Sequence, residues 1–409
     1  MFFLYEFFLQ VFLPTVSDQV MDAFQVDASG YAFMTAGYYI PYSLMQLPVG
    51  LLIDKYGARK LLTMAVAIVC TGVLWFAVSS SFISGFSSRC LMGFGSSFAY
   101  VSLLVLALNW FPKKHFGLMV GIANLLGALG PFLAGGPLAL LLKLFNDDWR
   151  YIMFSIGLFG AVLAVMIGIF VRNAPSRQKG EVIHFNPHKE SLWEKMGLLM
   201  RNPQAWATVF FSAFVYISLP LLGAYWGTSY LQARGLTQTL AASASSALWI
   251  GYAIGAPLSG KISDMIKRRR HPLIFCSLIG VIASALIVYL PDSNFLTYAC
   301  LFCLIGVASA GCAPAFAAIS EQVQKKVKGT GIGFNNSVAT LFAALIPPFV
   351  SFLIEHGTVE GSTNYSAQNF QNGLVLMPIF YTIALFIALF LIKETYCRSQ
   401  HEVVKVHLG

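Results

Sequence analysis

The chain has 409 residues, of which 57% are hydrophobic and only 11% are charged, and it contains 35 phenylalanines. A water-soluble chain of this length cannot bury so much apolar surface in one core, so the composition indicates a membrane protein. The formal net charge is +9, but the cations are dispersed among short loops, which argues against a nucleic-acid-binding surface.

Twelve apolar segments are long enough to cross a bilayer, because a helix needs about 20 apolar residues to span the hydrocarbon. In chain order the predicted spans are residues 1–21, 30–53, 60–79, 82–108, 117–143, 150–171, 204–230, 239–262, 273–290, 294–319, 329–355 and 372–393. The first span has neither a basic leading segment nor a small-residue cleavage site, so we interpret it as a helix and not as a signal peptide. Because it starts at Met1, we expect the amino-terminal tail to be very short or trimmed.

Most of the 26 basic residues fall in loops that are cytoplasmic if both termini are cytoplasmic. The opposite loops keep only Lys143, Arg150 and Arg234. Since positively charged loops stay on the cytoplasmic side of a membrane, this bias predicts a multi-pass protein with both termini in the cytoplasm. The short loops and compact tails favour a bacterial inner membrane.

One polar stretch, residues 172–203, separates the first six spans from the last six. We therefore divide the chain into a helical bundle at 1–171, a cytoplasmic linker at 172–203, a second bundle at 204–393 and a cytoplasmic tail at 394–409. Residues 191–200 in the linker have the spacing of an amphipathic helix that lies on the membrane surface. The apolar face of this predicted helix comprises Leu192, Trp193, Met196, Leu199 and Met200.

Two pairs of segments show that the halves are related. GLLIDKYGARK (50–60) aligns with GKISDMIKRRR (260–270), and KKHFGLMVGIAN (113–124) aligns with KKVKGTGIGFNN (325–336). The spacing is nearly the same in both pairs and the order is conserved along the chain, which predicts parallel repeats of six helices each. Such tandem halves are how many secondary transporters build a site near the middle of the bilayer.

The chain resembles the major facilitator superfamily of secondary transporters over essentially its whole length. The loop stretch at 50–60 is similar to the main loop motif of that superfamily, and the fourth span has the spacing R-x-x-x-G-x-G. The fifth span carries glycines and a proline that resemble a motif of antiporters, with one extra residue in the spacing. The residues of these two span motifs are Arg89, Gly93, Gly95, Gly130, Pro131, Gly135 and Gly136. The resemblance implies an all-α membrane protein with twelve transmembrane helices in two pseudo-symmetric six-helix bundles, working by alternating access.

The duplicated loop predicts a pair of conformational latches on the inner side. A carboxylate at the end of one helix, Asp54 or Asp264, can pair with Arg59 or Arg269 and hold one conformation closed. The predicted latch residues are Gly50, Asp54, Arg59, Lys60, Gly260, Asp264 and Arg269. The alternative is that these are solvated loop charges that follow the positive-inside rule. Glycines four apart, at 117 and 121 and at 329 and 333, allow helices to slide or simply to pack closely.

Two ionisable residues fall clearly within spans, where a charge is costly and tends to mark a pathway or a partner. Glu6 lies in the first span, with Gln10 one turn further on the same face, and Arg89 lies in the fourth. In the superfamily that this chain resembles, the first and fourth helices line the cavity. We therefore expect Arg89 to bind an anionic substrate group or the Glu6 carboxylate, and protonation of Glu6 to couple transport to a proton gradient. The alternative is a structural ion pair.

Polar and aromatic residues at helical spacing complete the predicted substrate site. They are Tyr38, Tyr42 and Gln46 in the second span, Ser212 and Tyr216 in the seventh, Trp249 and Tyr252 in the eighth, and Asn335 and Asn336 in the eleventh. Aromatic rings that carry a polar group suit small organic solutes. A tyrosine or tryptophan near the end of a span instead belongs to the interfacial belt, and we assign Tyr225 and Trp226 to that belt.

The sequence therefore predicts a secondary active transporter of a small polar or anionic metabolite, coupled to protons as a symporter. The alternatives are a proton-coupled efflux antiporter for drugs or metabolites and a receptor built on the same fold. A membrane enzyme would need clustered catalytic side chains, and a channel would need a continuous polar ring. The seven scattered cysteines show neither disulfide nor metal spacing. We expect no cofactor, metal or nucleic acid, and a monomer whose partners are its substrate, protons and the lipid bilayer.

Overall fold

The structure is a computed structural model that describes residues 1–110, 126–173, 192–324, 327–356 and 365–398. Within these ranges the regular elements are helices. Each of the twelve predicted spans coincides with one helix or one interrupted helix, and the ends differ by a few residues. The fifth span is described only from residue 126 onward.

The first bundle contains helices α1 to α6. They are α1 (Phe2–Val11, the 3-10 turn Leu13–Val16 and Ser17–Phe24), α2 (Ala28–Tyr56), α3 (Ala58–Val78), α4 (Phe82–Ser96 and Phe98–Trp110), α5 (Leu126–Ala134 and Gly136–Leu144) and α6 (Trp149–Phe170). The two parts of α5 meet at an angle of 45°.

The second bundle contains helices α7 to α12. They are α7 (Pro203–Ala233), α8 (Gln238–Ile266), α9 (Arg270–Tyr289), α10 (Phe295–Gln322), α11 (Lys328–Glu355) and α12 (Ala367–Leu391). A linker helix, Leu192–Met200, precedes α7. Its Leu199 is buried against the inner ends of α7, α10 and α11, so the linker helix packs on the second bundle.

Seven helices in the described ranges are individually long and apolar enough to cross a membrane, and the bent α5 brings the number to eight. The remaining four do not meet these criteria for reasons visible in their sequences. α1 and α4 are interrupted, while α2 and α8 carry many Ser, Thr, Tyr and Gln side chains. A helix that packs inside a bundle needs fewer apolar residues than one surrounded by lipid.

The helix packing repeats from one bundle to the other. α2 packs on α4 as α8 packs on α10, and α3 packs on α6 as α9 packs on α12. Between the bundles, α2 packs on α11, α5 on α8, and α1 on α7. The repeat relates α2 to α8 and α5 to α11, so the first two of these contacts are equivalent. The molecule therefore has the pseudo-twofold arrangement predicted from the duplicated loop.

Two glycines at equivalent positions of the repeat allow very close helix contacts. A Cβ on Gly93 of α4 would lie 1.9 Å from the Tyr38 carbonyl oxygen of α2, and a Cβ on Gly306 of α10 would lie 2.0 Å from the Leu248 carbonyl oxygen of α8. Only glycine allows backbones to approach this closely. The two glycines differ in the residue that lies four positions earlier in the chain. This residue is Arg89 in the first bundle and Phe302 in the second. The buried cation is therefore a property of the first bundle.

We call the side with the α2–α3 and α8–α9 loops the inner side, following the predicted orientation. On the opposite, outer side, hydrogen bonds join the two bundles. The Ser17 and Ser229 hydroxyls lie 2.9 Å apart, and the Gln238 amide nitrogen donates to the Thr15 carbonyl oxygen at 3.0 Å. Glu355 accepts hydrogen bonds from the backbone N–H and the hydroxyl of Ser29. This conformation is thus closed on the outer side.

Candidate functional site

Glu6 lies on α1 and is fully buried. The Tyr38 hydroxyl of α2 lies 2.8 Å from carboxylate oxygen Oε2 and 3.1 Å from the main-chain carbonyl oxygen of Glu6. The other carboxylate oxygen, Oε1, has no hydrogen-bond partner among the described residues. An unpaired buried carboxylate oxygen is costly, so it needs a proton or a partner supplied by another state of the protein.

Arg89 on α4 is also fully buried. Its Nη1 donates to the Leu9 carbonyl oxygen at 2.7 Å, and the guanidinium carbon lies 4.8 Å from the centre of the Tyr38 ring. Nε and Nη2 have no hydrogen-bond partner in the described part of the chain. These two nitrogens form one edge of the guanidinium, with the geometry that binds both oxygens of a carboxylate. The edge is therefore available to an anionic ligand.

Tyr38 links Glu6 and Arg89. Its hydroxyl contacts the carboxylate while its ring lies under the guanidinium. No ion pair between Glu6 and Arg89 occurs among those of the described residues. In this conformation the arginine is consequently not paired with Glu6, and Tyr38 is the residue that contacts both side chains.

Some of the other predicted aromatic residues lie next to this pair. Tyr42 stacks on Tyr38 with ring centres 6.0 Å apart, and Gln10 lies beside the hydroxyl groups of Tyr39 and Tyr216. Since Tyr216 belongs to α7, these contacts bring the second bundle to the cluster. On α8, Tyr252 lies near Tyr216, and the Trp249 ring centre lies 6.4 Å from that of Phe7 on α1.

The predicted polar residues of α11 lie on the boundary with α2. Asn335 is fully buried, and neither atom of its amide group has a partner in the described ranges. Asn336 is half-buried. Nearby, the Ser43 hydroxyl donates to the Ser337 carbonyl oxygen at 2.7 Å, and the reverse bond is 3.1 Å. No described contact joins Asn335 or Asn336 to Glu6 or Arg89, so their place in a substrate site stays a prediction.

The assignment of Tyr225 and Trp226 to the interfacial belt is wrong. Both are fully buried, and Tyr225 stacks on Tyr39 of α2 with ring centres 6.1 Å apart. The Trp226 ring nitrogen donates to the Ser351 hydroxyl at 3.0 Å. Belt residues face the headgroups, whereas the outer part of α7 packs against α1, α2 and α11. Sequence reasoning missed Tyr39 for the same reason, since only the folded arrangement brings these helices together.

The residues of the second predicted latch belong to an ion network on the inner side. Arg269 contacts Asp264 and Glu321, each at 2.7 Å between nitrogen and oxygen. Burial would lower the pKa of Arg269, but hydrogen bonds to these two carboxylates raise it above its usual value. Glu394, after α12, accepts from the backbone N–H groups of Arg269 at 2.7 Å and Arg270 at 3.1 Å. The sequence pattern identified neither Glu321 nor Glu394, because both are distant along the chain.

The first latch is described only in part. The Arg59 side chain binds the Gly168 carbonyl oxygen at the end of α6, and its backbone N–H donates to the Asn173 side-chain oxygen at 2.8 Å. Lys60 is exposed. The structure does not describe the surroundings of Gly50, Gly329 and the Asp54 side chain. Residues 113–124 also lie outside the described ranges. A Cβ on Gly260 would meet no atom within 4 Å, so close packing does not explain that glycine.

Comparisons with known proteins agree with this architecture. The sequence model of the Major Facilitator Superfamily matches residues 1–347 and 228–402. The chain is similar to the hexuronate transporter of Bacillus subtilis, with 26% identity over 61% of this chain and 59% of that protein, which is less than two thirds of its length. It is also similar to the probable galactarate/D-glucarate transporter GudP of Bacillus subtilis, with 21% identity over 87% of this chain and 84% of that protein.

The fold is that of a solved bacterial transporter. A homolog of the human lysosomal transporter Spinster, crystallised in an inward-facing and occupied conformation, superimposes with a TM-score of 0.76. The match covers 95% of this chain and 94% of that one, at 16% sequence identity. At this identity the likeness concerns the fold alone.

Proposed function

Since this chain belongs to the Major Facilitator Superfamily, we propose that it is a secondary active transporter of a small organic anion. It works by alternating access of a cavity between the two bundles. The substrate class is a sugar acid or a similar carboxylate, as the names of the hexuronate and galactarate/D-glucarate relatives suggest. The proposed location is the bacterial inner membrane, with both termini in the cytoplasm.

The observation that carries this proposal is the unpaired edge of Arg89. A fully buried guanidinium normally has its donors satisfied, yet Nε and Nη2 have no partner within the described residues. A carboxylate is the ligand whose two oxygens match that edge. Gln10 and the hydroxyl-bearing rings of Tyr39 and Tyr216 supply hydrogen bonds for a polyhydroxylated substrate.

The environment of Glu6 supports the proposal of proton coupling. The carboxylate is buried without a cation partner among the described ion pairs, so its ionised form is costly until an outward or inward opening exposes it. Protonation when the site faces the acidic side and release on the other side couple substrate and proton in the same direction. We therefore propose symport.

The glycine motif of α5 provides the argument for efflux antiport as a second function. A Cβ on Gly135 would lie 1.9 Å from the Ser246 hydroxyl oxygen, so Gly135 lets α5 pack closely on α8 across the bundle boundary. Such a contact keeps the outer side closed in either direction of transport. The contact is therefore compatible with export as well as with import.

The test is uptake of radiolabelled hexuronate, galactarate and D-glucarate, with neutral sugars for comparison, by proteoliposomes that contain the protein. Arg89→Lys keeps the charge but loses the two-nitrogen edge, so we expect uptake at low substrate concentration to fall about tenfold or more, as for the loss of a charged hydrogen bond. Arg150→Lys is the matched control, because Arg150 binds carbonyl oxygens at the end of α3 away from the cluster. Equal uptake by Arg89→Lys and the wild type would contradict the proposal.

A further inference from the structure

A pocket of about 280 Å³ opens on the inner side of the second bundle, away from the central cluster. It lies between the α8–α9 turn, the first turns of α9 and the segment that follows α12. The residues that line it are Arg268, Arg270, His271, Ile274, Glu394 and Tyr396. Three of the six carry or can carry a positive charge.

Among the residues that line this pocket, the single negative charge of Glu394 offsets only one of the two arginine charges. Burial would raise the pKa of Glu394, but the backbone N–H groups of Arg269, Arg270, Tyr396 and Thr395 lower it below its usual value. The carboxylate is thus already bound by backbone donors, and the distance from its oxygen to the His271 ring nitrogen is 3.9 Å. Arg269 is occupied separately by Asp264 and Glu321.

Arg268 and Arg270 have different surroundings. The Arg268 guanidinium lies 4.7 Å from the centre of the Tyr396 ring, which holds it over the pocket without any ion pair among the described residues. Arg270 donates to the carbonyl oxygens of Ala388 and Leu389 at the end of α12. The hydrogen bonds of Arg270 therefore hold its side chain in place at the edge of the pocket. Arg268 is the cation that can turn toward a ligand.

The pocket continues into a surface that lipid covers. Phe275, Leu278 and Ile282 follow His271 on α9 at intervals of three and four residues and are exposed. Phe390 on α12 is 70% exposed. A ligand with an anionic head and apolar chains would thus contact cations in the pocket and apolar side chains below it.

We propose that this pocket binds the phosphoryl headgroup of an anionic phospholipid in the inner leaflet. Arginine binds phosphate oxygens through paired N–H donors, and each cation near a membrane surface adds about 1 kcal/mol of attraction to anionic lipid. Free phosphate shares this chemistry, but it would leave the apolar surfaces of α9 and α12 without a role. The proposal does not depend on what the protein transports.

The test uses the delipidated full-length protein in an uncharged detergent. Native mass spectrometry measures the retention of phosphatidylglycerol and of phosphatidylcholine with the same acyl chains. We expect phosphatidylglycerol to be retained more strongly, and Arg268→Gln to weaken its binding about fivefold, as for the loss of one surface cation. Lys261→Gln is the matched control, because it removes an exposed cation from the same end of α8 outside the pocket.

Two results would overturn the assignment. One is equal retention of the two lipids, and the other is an equal loss of binding in Arg268→Gln and Lys261→Gln. A third arm adds inorganic phosphate, which should not displace phosphatidylglycerol at millimolar concentration if the apolar chains contribute. Complete displacement would show a free phosphate site instead of a lipid site.

Discussion

At the scale of single residues, the proposed symport rests on the cluster of Glu6, Tyr38 and Arg89, which would let one buried site respond to both a proton and an anion. Tyr38 contacts both charged groups, so a change at one alters the environment of the other. A carboxylate bound to Arg89 brings negative charge close to Glu6 and favours the protonated form of Glu6. Under the proposed symport we therefore expect substrate and proton to bind together more readily than either does alone.

Replacing Glu6 by glutamine separates coupling from binding. The amide keeps the size and one oxygen of the side chain but cannot release a proton. We expect Glu6→Gln to lose accumulation driven by a proton gradient and to retain exchange of labelled for unlabelled substrate. Both are measured in the same proteoliposomes. Accumulation that still follows the gradient would exclude Glu6 as the coupling residue.

The sequence identified Glu6, Tyr38 and Arg89 as candidate site residues, but it did not predict how they contact one another. Glu6 and Arg89 stand out because ionisable residues in spans are rare. Their separation by the Tyr38 ring was not predictable, because it depends on the close approach of α4 to α2 at Gly93. Tyr39 and Tyr225 look like ordinary span residues in sequence, and only the packing of α7 against α2 reveals their stacking.

At the scale of helices, the outer closure depends on a carboxylate at the end of one helix and the first turn of another. Glu355 ends α11, and its two oxygens accept from the backbone N–H and the hydroxyl of Ser29 in the first turn of α2. A helix N-terminus stabilises negative charge. This contact joins the bundles and must break when the outer side opens.

Removing this carboxylate should therefore favour opening on the outer side. We expect Glu355→Ala to increase labelling of Thr228→Cys by a membrane-impermeant thiol reagent about tenfold, since a hydrogen bond to a charged group contributes about 1.5–3 kcal/mol. Thr228 is buried near the outer end of α7 in the closed form. Asp22→Ala removes an exposed outer carboxylate and serves as the control. Unchanged labelling in Glu355→Ala would show that the contact does not hold the closure.

Glu394 provides a second helix-level prediction, this time for stability. Its pKa is below the usual value because backbone N–H groups at the start of α9 bind the carboxylate. The resulting stabilisation is present at neutral pH and is lost as the pH falls through that lowered pKa. We expect Glu394→Gln to lower the melting temperature at pH 7. The corresponding loss in the free energy of unfolding is about 0.3–2 kcal/mol.

The pH dependence of that difference is the check. The wild-type and Glu394→Gln melting curves should converge as the pH falls below about 4, where a free glutamate is protonated. A difference in melting temperature that is independent of pH would mean that Glu394 acts through packing. Thermal unfolding followed by tryptophan fluorescence measures both variants.

The helix positions were predictable and the helix partners were not. Long apolar runs mark most of the spans, because the hydrocarbon thickness sets a minimum length for a crossing helix. The duplicated loop also predicted Asp264 and Arg269 as a pair, and they are one. Glu321 and Glu394 complete that network from α10 and from beyond α12, and no local pattern connects positions so far apart along the chain.

At the scale of the whole molecule, the two bundles have the same internal packing but different centres. The first bundle contributes Glu6 and Arg89, and the second has Phe302 at the position equivalent to Arg89. A symmetric framework of this kind can adopt two similar end states, while the asymmetric centre places Glu6 and Arg89 in the first bundle. The division at 1–171 and 204–393 and the monomeric state stay predictions.

The most direct test of alternating access is a pair of distances measured by electron spin resonance in proteoliposomes. Spin labels at Gln25→Cys and Gln368→Cys report on the outer side, and labels at Arg172→Cys and Lys261→Cys report on the inner side, in a background without the seven native cysteines. All four positions are exposed. We predict that the outer distance lengthens in the states in which the inner distance shortens. Uptake of substrate while both distances stay constant, or change in the same direction, would contradict the account.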